Sequence, residues 1–355
     1  MTASREAGAA VRRTRAAVWR GGDRIAIEEL PVPTPADGEV LVRVRLATVC
    51  GSDRHTVGGR RPQPCPSILG HETVGEVVAL GPGGPRSVDG RPLRIGHRVV
   101  WSVTVSCGRC DRCTAGVTAK CRSVRKAGHE ALDSGWPLSG GYAGHVLLPR
   151  GVAVAVVADD LPDAVAAPAA CATATVMAAL ERARPVAGKR VAVIGAGMLG
   201  LTAVAAAAAD GAASVTAVDP VPGRRDLALR FGATTARAAL PERCDVLLEF
   251  SGASEGLQEG LRALDGQGVA VLAGSVAPGA AVTVDPESVV RRQLSVFGVH
   301  NYEPRHLTAA LAHLHATRER FPWTELVADP VPLAEVGALL AAAPGERPRY
   351  SVTPG

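Results

Sequence analysis

Val191-Ala192-Val193-Ile194-Gly195-Ala196-Gly197-Met198-Leu199-Gly200 is the stretch whose reading decides the fold. Four apolar residues, three of them β-branched, predict a short buried strand. Three glycines at G-x-G-x-x-G spacing predict a turn, and the Ala-rich run Met198–Asp210 predicts a helix. A lone glycine triplet would say little. Here a strand precedes it, a helix follows, and Asp219 closes the next strand nineteen residues beyond Gly200. Gly195 permits the tight turn, Gly197 lets backbone approach a pyrophosphate, and Gly200 lets helix and sheet pack closely. The helix start at Met198 and Leu199 offers free N–H groups and a positive dipole end to phosphates. Asp219 can accept hydrogen bonds from ribose hydroxyls and repels a 2′-phosphate, which favours NAD over NADP. Arg224 and Arg225 follow closely; they either soften that preference or simply begin an exposed helix.

Outward from this turn, strands and helices alternate: strand Arg190–Ile194, strand Ser214–Val218, helix Gly223–Phe231, strand Asp245–Phe250, helix Glu255–Leu264, strand Gly268–Ala273. That alternation implies a doubly wound parallel sheet covered on both faces, an α/β class. Ala164–Ala183 reads as buried helix. Upstream, from Ala16 to about Arg150, the text changes to short β-like runs broken by Gly and Pro, such as Val40–Ala47, Thr73–Leu80, Arg98–Val103 and His145–Leu148. Residues 1 to about 14 read as a loose arm. Helices over Pro304–Thr317 and Leu333–Ala342 are expected to belong to a segment that returns to the first domain.

At 355 residues the chain is long enough for two domains of roughly 100–200 residues each. An apolar fraction of 47% against 21% charged excludes a disordered chain. No apolar run approaches the ~18–20 residues that span a bilayer, and no export signal is readable, so a cytoplasmic protein without a membrane partner is expected. The net charge is +5, with aromatics at 3%, too few for stacking platforms, so no nucleic-acid partner is expected.

Half of the eight cysteines fall within fifteen residues. Cys107, Cys110, Cys113 and Cys121 supply four soft ligands on one Gly-rich loop, a closed shell for a structural zinc; an iron–sulfur cluster accepts the same set. A second group is dispersed: Cys50 in Cys50-Gly51-Ser52-Asp53-Arg54-His55, His71 in Gly70-His71-Glu72, and Cys171. Cys/His/Cys with an open position suits a catalytic zinc. Spacing alone does not assemble that group, and a lone buried cysteine is as readily a small hydrophobe as a ligand.

Together these motifs resemble the zinc-dependent medium-chain alcohol dehydrogenases, over nearly the whole chain from about Ala16. Gly70-His71-Glu72-x2-Gly75-x5-Gly81 resembles the family's zinc signature. The resemblance implies a GroES-like β-rich catalytic domain plus a Rossmann coenzyme domain, with zinc and nicotinamide in the cleft between them. It implies boundaries of 1–163 for the catalytic domain, 164–301 for the coenzyme domain and 302–355 for the returning segment. It makes Cys50, His71 and Cys171 ligands of a catalytic zinc, joined by Glu72 when water or substrate leaves. Ser52 becomes the proton relay, His55 its outer member, and Asp53 the acid that orients His71. Thr175 joins the cofactor residues. Gly51 departs from relatives that carry a basic residue contacting a cofactor phosphate there. The cofactors implied are NAD and two zinc ions per chain, and the partners a small alcohol or carbonyl substrate and a second copy of the chain. Leu294–Val299, the last strand of the sheet, is where relatives pair into homodimers or homotetramers.

Several strings, among them His55-Thr56-Val57-Gly58-Gly59-Arg60-Arg61-Pro62 and Gly298-Val299-His300-Asn301-Tyr302, resemble a subgroup of alcohol dehydrogenases associated with phosphonate metabolism. Arg60 and Arg61, with His300 and Asn301, are then candidates for gripping an anionic substrate; a solvated loop pair is the bland alternative. A neutral polyol or cyclitol is the other substrate class. An inactive nucleotide-binding or redox-sensing relative is the other function, opposed by the full set Cys50, Ser52, His71, Glu72 and Cys171.

Overall fold

The computed structural model describes residues 12–240, 243–343 and 345–355. The expected N-terminal arm lies mostly outside them, and strand Arg13–Trp19 already runs through its last two positions.

Strand Arg190–Ile194 forms the middle of a six-stranded parallel sheet. The spatial order is Thr235–Arg237, Ser214–Val218, Arg190–Ile194, Cys244–Glu249, Leu264–Leu272, Ser295–Gly298. In chain order that is 3-2-1-4-5-6, the doubly wound arrangement with its switch point between the first and fourth strands. The apolar run of the central strand serves both faces. Val191 and Val193 join one core cluster, Ala192 and Ile194 another. The fold class is therefore α/β, with a Rossmann sheet beside a β-rich unit.

In the β-rich unit, Val40–Thr48 is the hub. It pairs antiparallel with Glu72–Leu80, His145–Leu148 and the C-terminal strand Arg349–Thr353. Its exposed Arg43 and Arg45 alternate with buried Val42, Val44 and Leu46, the period of a half-buried strand. Thr48 pairs with both Glu72 and Ser351, so one register brings three distant parts of the chain to one point. Helix Pro304–Ala316 packs on helix Ala172–Ala183.

One element differs in kind from expectation. Ala164–Ala183 is not a single helix: Asp163–Ala166 runs into the 3-10 turn Ala167–Ala170, and a new helix begins at Ala172, bent by 55° from the first. Cys171, at φ −135° and ψ −72°, sits at the break. Pro168 has no N–H to continue the helical ladder, and the composition of small apolar residues hides the interruption. Leu333–Ala342 likewise splits into a 3-10 turn and helix Val336–Ala341. Among the described residues no single helix is long and apolar enough to cross a membrane.

Candidate active site and metal centres

Cys50 ends the connection after Val40–Thr48 and caps the short helix Gly51–Val57. Asp53, in the first turn of that helix, reaches back: its Oδ2 accepts from Cys50 N at 3.1 Å and from Tyr142 Oη at 2.9 Å. Its other oxygen, Oδ1, lies 3.2 Å from His71 Nδ1, within ion-pair reach though too poorly aligned to count as a hydrogen bond. His71 Nε2 is left facing Ser52 Oγ at 3.2 Å. His71 enters its strand from Gly70, whose φ is +92° and where a Cβ would stand 2.8 Å from the Tyr142 ring. Only glycine serves there. Cys171 arrives from the helix break.

The metal-binding atoms of Cys50, His71 and Cys171 lie within 4.8 Å of one another. Burial disfavours the cationic form of His71, but Asp53 and Cys50 outweigh it and hold its pKa well above the ordinary value. The Cys50 thiol is held well below its ordinary value, first by hydrogen bonding to Cys171 and, against burial, by the Arg349 and His71 charges. A depressed thiol beside a second thiol and an imidazole fits a zinc ligand set.

Glu72 is fully buried and accepts from Thr48 Oγ1 at 2.7 Å, Arg349 Nε at 2.7 Å and Arg349 Nη2 at 2.9 Å. Arg349 Nη2 also points at Cys50 Sγ, 3.6 Å away. Sequence reasoning did not find Arg349 or Tyr142: neither stands in a motif, and only strand pairing and packing reveal them. Burial raises the Glu72 pKa against the Arg349 charge.

Cys107, Cys110, Cys113 and Cys121 also gather within 4.8 Å. Their sulfurs stand 3.5 to 4.0 Å apart where hydrogen-bond geometry pairs them, too far for disulfides. Four sulfurs at about 2.3 Å from a common tetrahedral centre would stand ~3.8 Å apart, so the set fits a closed zinc shell. Backbone N–H groups of Arg109 and Cys110 bring the Cys107 thiol down to about 6.

A cavity of about 500 Å³ joins the Cys50–His71–Cys171 cluster to the glycine turn. Ser52, His55, Thr175, Met198 and Leu199 line it, as do Arg61, His300 and Asn301. Arg60 is exposed and not among the lining residues. A Cβ on Gly200 would lie 1.6 Å from Gly195 O, whereas one on Gly197 would meet nothing within 4 Å. Gly200 thus keeps helix and strand together, and Gly197 keeps a cradle open on the cavity wall. Asp219 is fixed by Ala196 N at 2.8 Å and Val221 N at 2.9 Å. Arg225 donates to the carbonyls of Asp219 and Pro220, and Arg224 Nη2 to Gly345 O; Arg224 Nη1 is buried without a partner. Across the switch point, Glu249 Oε1 accepts from Ser251 N and Gly252 N, both at 2.6 Å, pinning the opposite lip. Glu249, Lys126 and His129 are further residues near or in this cavity that sequence reasoning missed.

Two units, one glycine cradle and two ligand clusters define a zinc-binding dehydrogenase. Residues 36–159 match the alcohol dehydrogenase GroES-like domain and residues 199–316 the zinc-binding dehydrogenase family. A 5-exo-hydroxycamphor dehydrogenase of Pseudomonas putida is 32% identical over 332 residues, covering 88% of this chain and 91% of its own. An alcohol dehydrogenase of Thermotoga maritima superposes with a TM-score of 0.90 at 27% identity, covering 97% of this chain and all of its own. A zinc-binding dehydrogenase of Sinorhizobium meliloti bound to NADP gives 0.85 at 28%, with coverages of 97% and 100%. The chain belongs to the zinc-dependent medium-chain alcohol dehydrogenase family and is an oxidoreductase of that type.

Proposed function

We propose that the chain is a zinc- and NAD-dependent dehydrogenase that interconverts a small anionic, phosphonate-like alcohol and its aldehyde or ketone. The observation that carries this reading is the convergence of Cys50, His71 and Cys171 on the cavity that the glycine turn also lines. Those three would hold a catalytic zinc, the four-cysteine loop a structural one, and the Gly195–Gly200 turn with Asp219 the NAD. When bound, zinc supplies a Lewis acid for the alcohol oxygen and NAD a hydride acceptor.

Ser52 Oγ takes the alcohol proton while releasing its own. His55, on the cavity wall, receives it; burial and the Arg60 charge lower its pKa, which keeps it a neutral acceptor. Asp53, held by Cys50 N and Tyr142, orients His71. Glu72 is a carboxylate beside Cys50, restrained by Arg349. Asp219 is set to receive ribose hydroxyls, which supports NAD over NADP. Arg61 supports an anionic substrate.

The reading includes the division at residues 163 and 301, a cytoplasmic setting and a homodimer or homotetramer. The edge strand Ser295–Gly298, with Val296 exposed, supports pairing between copies. The experiment is a panel of anionic and neutral alcohols with NAD, read by NADH absorbance, on protein whose zinc content is measured in parallel. NADH formation by protein holding about two zinc ions per chain is expected. Zinc-loaded protein that oxidises no alcohol in the panel and reduces no carbonyl would overturn the reading in favour of an inactive nucleotide-binding relative.

A further inference from the structure

The cavity that the glycine turn lines carries an unusual charge balance. Three basic side chains line the cavity: Arg61, Lys126 and Arg349. No Asp or Glu lines it among the described residues. Arg349 is satisfied by Glu72, but neither Arg61 nor Lys126 has a carboxylate partner among the described ion pairs. Glu130, the nearest acid in sequence, is already committed: it accepts from Arg125 Nε at 3.2 Å and from the backbone N–H of Lys126 at 2.9 Å. A third cation stands next to the pair. Lys120 Nζ lies 3.0 Å from Nδ1 of His300, itself a cavity residue, so His300 links Lys120 to the wall.

These charges oppose one another. Burial, then Arg61 and Lys120, pull the Lys126 ammonium below its ordinary pKa, and burial followed by Lys126, Lys120 and Arg61 brings His300 to about 4. Neutral His300 is therefore an acceptor for Lys120, not a fourth cation. Cations clustered in one cavity without a carboxylate on its lining are stabilised by an anion that enters it. A single carboxylate would leave the cluster in excess positive charge; a tetrahedral dianion matches it and presents three oxygens to a guanidinium and an ammonium.

We infer that Arg61 and Lys126, with Lys120 at the rim, form a subsite for the doubly charged tetrahedral oxyanion of the substrate, a phosphonate or phosphate monoester group. The inference rests on the dehydrogenase reading for what happens at the carbinol carbon, but the subsite itself is defined by this wall alone. Lys126 and Cys171 line the same cavity of about 500 Å³, so the oxyanion and the reacting carbon share one small chamber. The substrate is accordingly a short hydroxy- or oxo-compound with the oxyanion a few bonds from the reacting carbon.

The test is calorimetric titration of methylphosphonate, and of acetate as a monoanion, into zinc-loaded protein saturated with NAD at pH 8. Wild type is expected to bind methylphosphonate at least tenfold more tightly than acetate. Lys126→Met and Arg61→Met should each weaken methylphosphonate by tenfold or more, with Lys126→Arg recovering most of the loss. Arg60→Ala removes a charge from the same loop outside the cavity and should bind as wild type. Thermal melts identify any variant that fails to fold, and Lys126→Gln then replaces Lys126→Met. Methylphosphonate binding that survives both methionine changes, or that falls equally in Arg60→Ala, would overturn the subsite. So would acetate binding as tightly as methylphosphonate. Oxidation of neutral alcohols by the same preparations tells the two readings apart. If it persists while the anion fails to bind, the subsite is wrong and the dehydrogenase stands. Anion binding without any turnover keeps the subsite and overturns the dehydrogenase reading.

Discussion

Arg349 and Glu72 form a two-point ion pair, Nε to Oε2 at 2.7 Å and Nη2 to Oε1 at 2.9 Å, with both side chains buried. The two residues are 277 positions apart in sequence and meet because Thr48 pairs with both of their strands. Removing one partner of such a pair leaves a buried charge without compensation. Arg349→Leu is expected to cost about 3–5 kcal/mol in urea denaturation. Adding Glu72→Gln should recover a large part of it, since the carboxylate left behind dominates the penalty. A double variant no more stable than Arg349→Leu would show that the loss comes from packing instead.

The four-cysteine loop should hold one metal independently of the cavity cluster. Elemental analysis of wild type is expected to give about two zinc ions per chain, and Cys107→Ser about one. Cys50→Ser should also give about one and abolish turnover, whereas Cys107→Ser should retain the chemistry at reduced thermal stability. A metal count unchanged by Cys107→Ser would remove the structural-site assignment.

The parallel sheet and its glycine turn were legible because they are written locally: a β-branched run, a G-x-G-x-x-G turn and an acid at the end of the next strand are all read within thirty residues. The four-cysteine loop was legible for the same reason. Cys171 was not legible from spacing, because its position depends on a helix break hidden in a run of alanines. Arg349, Tyr142 and Lys126 were invisible for a related reason. Each lies in an ordinary strand or loop, and acquires its meaning only from register or from the wall of a cavity. Arg60 and Arg61 looked equivalent in sequence, yet one is exposed and the other lines the cavity.

Cofactor choice should turn on Asp219. Its carboxylate is fixed by Ala196 N and Val221 N at the end of its strand, where it would face the adenosine ribose. Wild type should favour NAD over NADP in kcat/KM. Asp219→Gly should shift the ratio towards NADP by at least tenfold, because the carboxylate that repels a 2′-phosphate is gone while the Arg224 charge it opposes remains. A wild type that prefers NADP would mean that Arg224 outweighs the carboxylate.

His313 gives a stability prediction far from the chemistry. It packs edge-on against Trp323, with ring centroids 5.7 Å apart, and burial lowers its pKa to about 4. In the unfolded chain the value is about 6.5, so between these two limits the unfolded state binds the proton and the folded state does not. Stability is therefore intact above that unfolded value and falls as the pH drops towards the folded one, by up to ~1.4 kcal/mol per pH unit from this residue. His313→Phe removes the titration and keeps an aromatic edge against Trp323. Urea midpoints at pH 5 and 7.5 should differ less in the variant than in wild type. An equal difference would assign the acid sensitivity to other groups.

Ser52 carries the most direct test of the proposed proton path. Its Oγ stands 3.2 Å from His71 Nε2 and lines the same cavity as His55. A hydroxyl there can accept the alcohol proton and release its own in one concerted shift; a methyl group can do neither. Ser52→Ala should therefore lower kcat by about 10²–10⁴ while zinc content stays at wild-type level. KM for the alcohol should move far less, because Ser52 is asked to move a proton and not to grip the substrate. Ser52→Thr restores the hydroxyl and should return most of the rate. His55→Ala should give a smaller loss, one that shrinks as the pH rises and hydroxide can take the proton in its place. Full activity in Ser52→Ala would place the proton path elsewhere and leave Ser52 a helix-turn residue beside the Cys50–His71–Cys171 cluster.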